Sequence, residues 1–298
     1  MATLQDLKRR IRSVRNTRKI TKAMELVAAA RLRRAEERIT QMRDFADRMQ
    51  ELTAGTARAA SSMRGLTLLQ QREPNRVAIV ALTGDRGLAG AFNGQILRRA
   101  FAVERRLREE GREIRWLAVG RKGRSTLQFR RYEVEQAWTG FTDQPSYGDA
   151  QAVAHRLAEL YSNEEIDQAI LVYNHYVSPL VQRVTEQQVL PISEEVLSRE
   201  EEEEEEHERA MLGDFIYEPE PEQILERLLP VYLETEIYRA LLESAASEHG
   251  ARMTAMRNAS KNAAELIDSL TLDLNRARQA EITQEILEVV AGADALTQ

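Results

Sequence analysis

The stretch of this sequence best suited to chemistry is a glycine-rich loop, Thr83-Gly84-Asp85-Arg86-Gly87-Leu88-Ala89-Gly90, which follows the apolar run at 77–82. Glycines between a strand and a helix let backbone amides approach a phosphate group. These glycines are three apart, however, which matches neither G-x-G-x-x-G nor the phosphate loop G-x-x-x-x-G-K-[ST], and no acidic ribose partner follows at the right distance. The pattern therefore favours a structural turn between a strand and a helix.

A second loop and the histidines offer no stronger site. The loop Gly120-Arg121-Lys122-Gly123-Arg124-Ser125 has the Lys and Ser of a phosphate binder with the wrong glycine spacing, which indicates a basic turn that opens a helix. The histidines, which lack a paired carboxylate or an i, i+4 repeat, are His155, His175, His207 and His249. The chain has no cysteine, which excludes disulfides, thiolate metal sites and a cysteine nucleophile. We therefore predict no catalytic residue, no metal site and no cofactor.

Positive charge is concentrated at the N-terminus, although the whole chain has a net charge of −6. Residues 1–40 contain twelve Lys or Arg against four acids, and residues 1–44 contain no aromatic side chain for stacking on bases. A basic helix can face nucleic acid, an anionic membrane or an acidic protein surface, and charge alone does not choose among them. The missing aromatics and the adjoining apolar seam favour a protein partner.

Two long helices are predicted at the ends of the chain. From Leu4 to about Ala60 there is no proline, and a helical pattern returns from Glu222 to about Gly292, with Pro230 expected to kink an early turn. Their apolar seams are Leu4, Leu7, Ile11 and Val14, and Ala263, Ile267, Leu270, Leu274 and Ala277. At 1.5 Å per residue these helices would extend on the order of 80 to 100 Å. Because so long a helix with so narrow a seam is not stable alone, we expect the two to pair.

Between the helices, the sequence predicts strands that alternate with helices. The expected strands are 77–82, 114–119, 132–137, 169–173 and 181–189, and the expected helices are 91–110, a short one near Ser125, and 149–161. This alternation is typical of a mostly parallel sheet with helices on its faces. The last strand is expected to pair as an antiparallel hairpin.

The predicted fold class is α/β, with a long antiparallel coiled coil of the N- and C-terminal helices and an inserted Rossmann-like α/β domain. The predicted domains are an N-terminal shaft helix at 1–60, the α/β domain at 76–191, an acidic linker at 192–221 and a C-terminal shaft helix at 222–298. The linker contains seven consecutive glutamates, Glu200 to Glu206. Like-charge runs of this length are usually solvated, and we assign this one no function.

Motifs at both ends resemble those of the gamma subunit family of F-type ATP synthases. The stretch SVRNTRKITKAMELVAA at 13–29 is similar to the opening helix of the family nearly residue for residue. The stretch ARQAEITQEILEVVAGA at 277–293 resembles the C-terminal signature, in which I-T-x-E precedes Gly-Ala. The segments 232–256 and 87–90 are also similar, so the resemblance covers nearly the whole chain.

The resemblance implies a central-stalk rotor subunit that couples proton-driven rotation of the c-ring to ATP synthesis or hydrolysis at the alpha and beta subunits. The implied partners are the alpha and beta subunits, the epsilon subunit and the c-ring, with no nucleic acid and no direct membrane insertion. The subunit itself is expected to be non-catalytic. The positions implied to contact the beta subunit or to act in coupling are Met24, Arg252, Gln279, Thr283 and Glu285.

Two other function classes stay open from the residues alone, a nucleotide-binding α/β enzyme and a nucleic-acid-binding coiled coil. No apolar run approaches the roughly 20 residues that span a bilayer, and the N-terminus lacks a secretory signal. The absence of a clear leader favours a bacterial over a mitochondrial source. Together with these observations, the resemblance implies a peripheral membrane protein on the cytoplasmic face of the bacterial inner membrane.

Overall fold

The structure is a computed structural model that describes residues 3–60, 65–193 and 218–296. Its helices are α1 (Leu4–Ala59), α2 (Phe92–Glu109), α3 (Arg121–Phe129), α4 (Tyr147–Ser162) and α5 (Pro221–Leu296), with a 3-10 turn at Thr67–Leu69. Its strands are β1 (Arg76–Leu82), β2 (Glu113–Val119), β3 (Val134–Trp138), β4 (Gln168–Tyr176) and β5 (Gln182–Leu190). Each predicted helix and strand is confirmed within a few residues. The glutamate run lies outside the described residues.

The five strands form one mixed sheet in the order β3-β2-β1-β4-β5. Strands β3, β2, β1 and β4 are parallel, and β5 pairs antiparallel with β4, with Val172 opposite Glu186. This confirms the predicted mostly parallel sheet and its terminal hairpin. The strand order reverses between β1 and β4, which is the point where doubly wound domains form a ligand crevice.

Strand β1 shows how the core is divided between the two faces of the sheet. Val77, Ile79 and Ala81 pack with α2, whereas the alternate residues of β1 face α4 and α5. Successive side chains of a strand point to opposite faces, so a fully buried strand such as this one requires a layer on each side. Helix α5 forms part of the second layer, and the helix continues past Pro230 without a break.

The chain divides into two compact units, one of residues 30–251 and one that joins the first 29 residues to the segment from Arg252 onward. Both α1 and α5 therefore contribute to both units. In the second unit, Leu7 and Ile11 are buried, and the predicted seam of α5 is less exposed than its flanking positions. Glu25 Oε1 accepts from Arg257 Nε at 3.2 Å, which joins the two helices within this unit.

Within the described ranges, no helix combines the length and the apolar character needed to cross a membrane.

Candidate functional site

The crevice at the carboxyl end of β1 is the position where a nucleotide would bind if this domain were an enzyme. The glycine-rich loop begins there, and its backbone is held by neighbouring segments. The Gly84 N–H donates to Asn93 Oδ1 at 2.8 Å, and the Lys122 N–H donates to the Gly84 carbonyl at 3.1 Å. The loop therefore joins β1 to α2 and supports the start of α3.

Helix α5 fills this crevice. The Ser244 hydroxyl donates to the Leu82 carbonyl at 3.4 Å, and the Ser247 hydroxyl donates to the Asn174 carbonyl at 3.1 Å, so the helix lies across the ends of β1 and β4. Glu248 is buried, and a methyl group at Gly84 would lie 2.7 Å from its carboxylate. A carboxylate of the chain itself thus lies over the glycine turn, where a phosphate would otherwise approach. This occlusion argues against the nucleotide-binding alternative.

Asp85 organises the loops around the crevice. Its carboxylate accepts from the backbone N–H groups of Arg121 at 3.0 Å and Gly140 at 2.7 Å, and from both the N–H and the hydroxyl of Thr142. Burial alone would raise the pKa of Asp85, but these donors outweigh it and hold the pKa below its ordinary value. The residue most suited to chemistry in this loop is therefore committed to structure.

Gly120 is required by the same packing. Its φ is +92°, and a Cβ at this position would lie 2.0 Å from the Thr83 carbonyl oxygen. The left-handed backbone and the close approach both favour glycine. The predicted basic turn that opens a helix is confirmed, because α3 starts at Arg121.

A basic groove lies in the unit formed by the ends of the chain. It is a cleft of about 710 Å³ that also contains Glu25 and Leu26, and its cationic residues are Arg15, Arg18, Lys19, Lys22, Arg257 and Lys261. Lys22 Nζ lies 3.0 Å from Glu25 Oε2. The hydrogen bond from Lys22, followed by that from Arg257, holds the pKa of Glu25 below its ordinary value. One carboxylate among six cations leaves the groove suited to an acidic surface.

The structure does not bring the predicted contact positions into one cluster. Met24 is half-buried beside the groove residue Glu25, and Arg252 is largely buried. Gln279, Thr283 and Glu285 are exposed. They lie roughly 20 to 30 Å beyond the groove along α5, at 1.5 Å per residue.

Sequence reasoning missed the role of Glu25 as the acid that joins α1 to α5. Its i, i+3 spacing from Lys22 was the available signal. The partner Arg257 lies 232 residues away in the sequence. No local pattern could have indicated that partner.

Similarity to known proteins extends over almost the full chain. A family model described as ATP synthase matches residues 3–296. A protein of Rubrobacter xylanophilus named ATP synthase gamma chain is 48% identical over 297 residues, which cover 99% of each chain. One of the same name from Moorella thermoacetica is 46% identical and covers 99% of this chain and 100% of the relative. The chain belongs to the ATP synthase gamma chain family.

Solved structures agree with this family assignment. A chain from the central stalk and c-ring of the Tetrahymena thermophila mitochondrial ATP synthase matches with a TM-score of 0.58 and 28% identity, over 81% of this chain and 99% of that one. A chain from the Euglena gracilis mitochondrial ATP synthase matches with a TM-score of 0.67 at 19% identity, over 98% of this chain and 94% of that one, which supports the fold. The resemblance to the gamma subunit family and the predicted fold class are confirmed.

Proposed function

We propose that this chain is the central-stalk rotor subunit of an F-type ATP synthase, and that it couples proton-driven rotation of a c-ring to ATP synthesis or hydrolysis by alpha and beta subunits. The observation that carries the proposal is the similarity to ATP synthase gamma chains over 99% of the chain at 48% identity. The chain itself is non-catalytic. The crevice where a nucleotide would bind is filled by Glu248 and its helix, which supports this part of the proposal.

The end of α5 is suited to a position inside a ring of partner subunits. Every residue from Arg278 to Val290 is exposed, including large apolar side chains. These apolar residues are Ile282, Ile286, Leu287, Val289 and Val290. A run of exposed apolar side chains on a helix marks an interaction surface. We assign the alpha and beta subunits as the proteins that cover it.

Coupling then works by differential contact. A rotor whose faces differ presents a different surface to each catalytic site as it turns, and it shifts the open and closed states of that site by the difference in contact energy. The proposed contact and coupling positions are Met24, Arg252, Gln279, Thr283 and Glu285. The basic groove beside Met24 complements acidic surface on the beta subunit, and this attraction weakens as salt rises.

The α/β domain is proposed to contact the epsilon subunit and the c-ring. The chain is then a peripheral membrane protein on the cytoplasmic face of the bacterial inner membrane. The proposed domains are shaft helices at 1–60 and 222–298, an α/β domain at 76–191 and a linker at 192–221. In this division the helices act as the rotating shaft, and the α/β domain contacts the c-ring.

The test is reconstitution of ATP hydrolysis from purified alpha and beta subunits with and without this chain. We expect chain-dependent assembly and turnover, both weakened by a truncation that removes residues 279–298. The matched control is Asp268→Asn in the full-length chain, which changes an exposed acid of α5 and keeps the end of the helix. Failure of the full chain to associate with the catalytic subunits would reject the proposal.

A further inference from the structure

Helix α5 packs on the sheet through an apolar stripe that repeats every four residues. The stripe consists of Leu225, Leu229, Leu233, Ile237 and Leu241, all of them buried in the core shared with α4 and the sheet. Apolar contact is non-directional. A slide of α5 by four residues would place one large aliphatic side chain where another had been. The stripe therefore stabilises the packing of α5 without defining its position.

Four buried glutamates border this stripe, and their spacing does not repeat. They are Glu234, Glu236, Glu243 and Glu248, each less than one-tenth exposed. At 100° per residue, and relative to the mean direction of the stripe, Glu234 and Glu248 lie about 100° and 60° to one side, and Glu236 and Glu243 lie about 60° and 80° to the other. A slide or rotation that preserves the apolar contacts would move these carboxylates away from their partners on other elements, whereas the ion pair of Glu236 with Arg239 lies within α5 and would move with the helix.

On the first side, Glu234 is held by helix α4. Its carboxylate accepts from the Tyr147 hydroxyl at 2.7 Å and lies 3.0 Å from His155 Nε2. Burial and the hydrogen bond to Glu234 raise the pKa of Tyr147 to about 12, so the phenol stays protonated and continues to donate near neutral pH. Glu248, on the same side, lies against Gly84 at the end of β1.

On the second side, the partners come from β4 and β5. Glu243 Oε2 lies 2.6 Å from His175 Nδ1 of β4, and Glu236 Oε2 accepts from Gln187 Nε2 of β5 at 2.6 Å. Three different elements, α4, β4 and β5, thus hold one helix from two sides. Leaving a buried carboxylate without donors is strongly unfavourable, so buried polar pairs can select one register among several that have similar apolar packing.

We infer that the buried glutamates of α5 form a positional key that fixes the register of this helix on the α/β domain. The consequence for rotation rests on the proposed function: torque that enters through the domain turns α5 without slip, because the glutamates on both sides of the apolar stripe oppose rotation in either direction. Glu234 and Glu243 are positioning residues in this scheme.

The test removes one acceptor from each side with the double substitution Glu234→Leu and Glu243→Leu. Leucine keeps the side-chain volume, and His155 and His175 keep access to water, so we expect a folded chain with a Tm close to that of the parent. The matched control is Glu226→Gln, which changes an exposed glutamate on the same helix. The Glu234→Gln and Glu243→Gln double variant keeps an acceptor at each position and is expected to behave as the parent does.

The readout is the distance between spin labels at Gln223→Cys on α5 and Arg105→Cys on α2, measured by pulsed electron paramagnetic resonance. Because the chain has no cysteine, labelling is specific. We expect one narrow distance for the parent and for both glutamine variants. The leucine variant should add a second distance, displaced by up to about 6 Å, the rise of four helical residues. A single narrow distance in the folded leucine variant would overturn the inference.

A second variant removes the partners on the domain side, with Tyr147→Phe, His155→Leu and His175→Val, so that Glu234 and Glu243 lose the contacts described above. This variant tests the inference if the leucine variant does not fold. We expect it to show the second spin-label distance, displaced by up to about 6 Å. A single narrow distance here would also overturn the inference. Both measurements use the full chain without partner subunits. A single distance therefore rejects the fixed register and leaves the proposed function intact. If instead the parent chain fails to assemble with alpha and beta subunits, the proposed role of the glutamates in transmitting torque is rejected, but their role in fixing the register of α5 is not.

Discussion

Helix α5 differs sharply between the two compact units of the chain. In the unit of residues 30–251, every residue from Ala240 to Gly250 is buried, and the carboxylates of this segment lie against β4 and the glycine-rich loop of the same chain. In the other unit, every residue from Arg278 to Val290 is exposed, apolar side chains included. The first segment is stabilised within the chain, whereas the second has an apolar surface that suits other subunits.

The largest loss of stability is expected from Gly120→Ala in the unit of residues 30–251. A methyl group 2.0 Å from the Thr83 carbonyl, on a backbone with a φ of +92°, forces rigid segments apart and should cost about 4 kcal/mol. Chemical denaturation measures this cost. The matched control is Gly94→Ala in α2, where a methyl group meets no atom within 4 Å and is expected to change stability by about 1 kcal/mol or less. Equal effects at the two glycines would contradict the account of Gly120.

A pair of leucine truncations compares the two regions directly. Leu171→Ala, at a fully buried position of β4, should lower the free energy of unfolding by about 3 kcal/mol through lost burial and a cavity. Leu287→Ala, at an exposed position of α5, should leave the free chain almost unchanged and weaken its association with alpha and beta subunits. Thermal denaturation and a binding titration on both variants give the comparison. Leu287→Ala with normal association would show that this surface is not used.

Asp85→Asn should lower the free energy of unfolding by about 1 to 3 kcal/mol. An amide has one acceptor oxygen instead of two, and its own N–H groups would face the backbone donors that surround this position. The pKa of Asp85 is lowered in the folded state, so its contribution is present above the unfolded pKa of about 4 and is lost as pH falls through the folded pKa. The stability difference between parent and variant should therefore shrink below pH about 4. A difference that is constant across that range would contradict the role of the ionised carboxylate.

The smallest effect on stability is expected from Glu25→Gln in the basic groove. The variant keeps an oxygen that accepts hydrogen bonds and loses only the charge of a buried carboxylate whose two cationic partners, Lys22 and Arg257, are exposed, so the Tm of the free chain should fall only slightly. It also removes the carboxylate that offsets the six cations, so association with the catalytic subunits should become faster at low salt and more sensitive to salt. Association rates measured at several salt concentrations test this. An unchanged salt dependence would argue against a role for the groove in binding.

The sequence predicted what depends on local pattern. The seam from Leu4 to Val14, the buried strand at 77–82 and the last strand of the hairpin follow from spacing and β-propensity. The pairs Tyr147 with Glu234 and His175 with Glu243 join residues 87 and 68 positions apart. Such contacts depend on how the chain crosses over between strands, which no local window contains.

The candidate site divides in the same way. The glycine spacing disfavoured a phosphate loop, but nothing near Gly84 in the sequence indicated that Glu248 would lie over it. The predicted contact positions, Met24 and the four on α5, came from the family resemblance. They stay predictions, because their partners belong to other chains.

Direct observation of rotation tests the central claim most directly. Phe129 lies on α3 and is 88% exposed. Because the chain has no cysteine, a Phe129→Cys substitution gives a single site for attaching a bead to the complex with alpha and beta subunits. During ATP hydrolysis we predict rotation in one direction, with one dwell for each catalytic site in every turn. A complex that hydrolyses ATP while the bead on this chain shows no directed rotation would contradict the account.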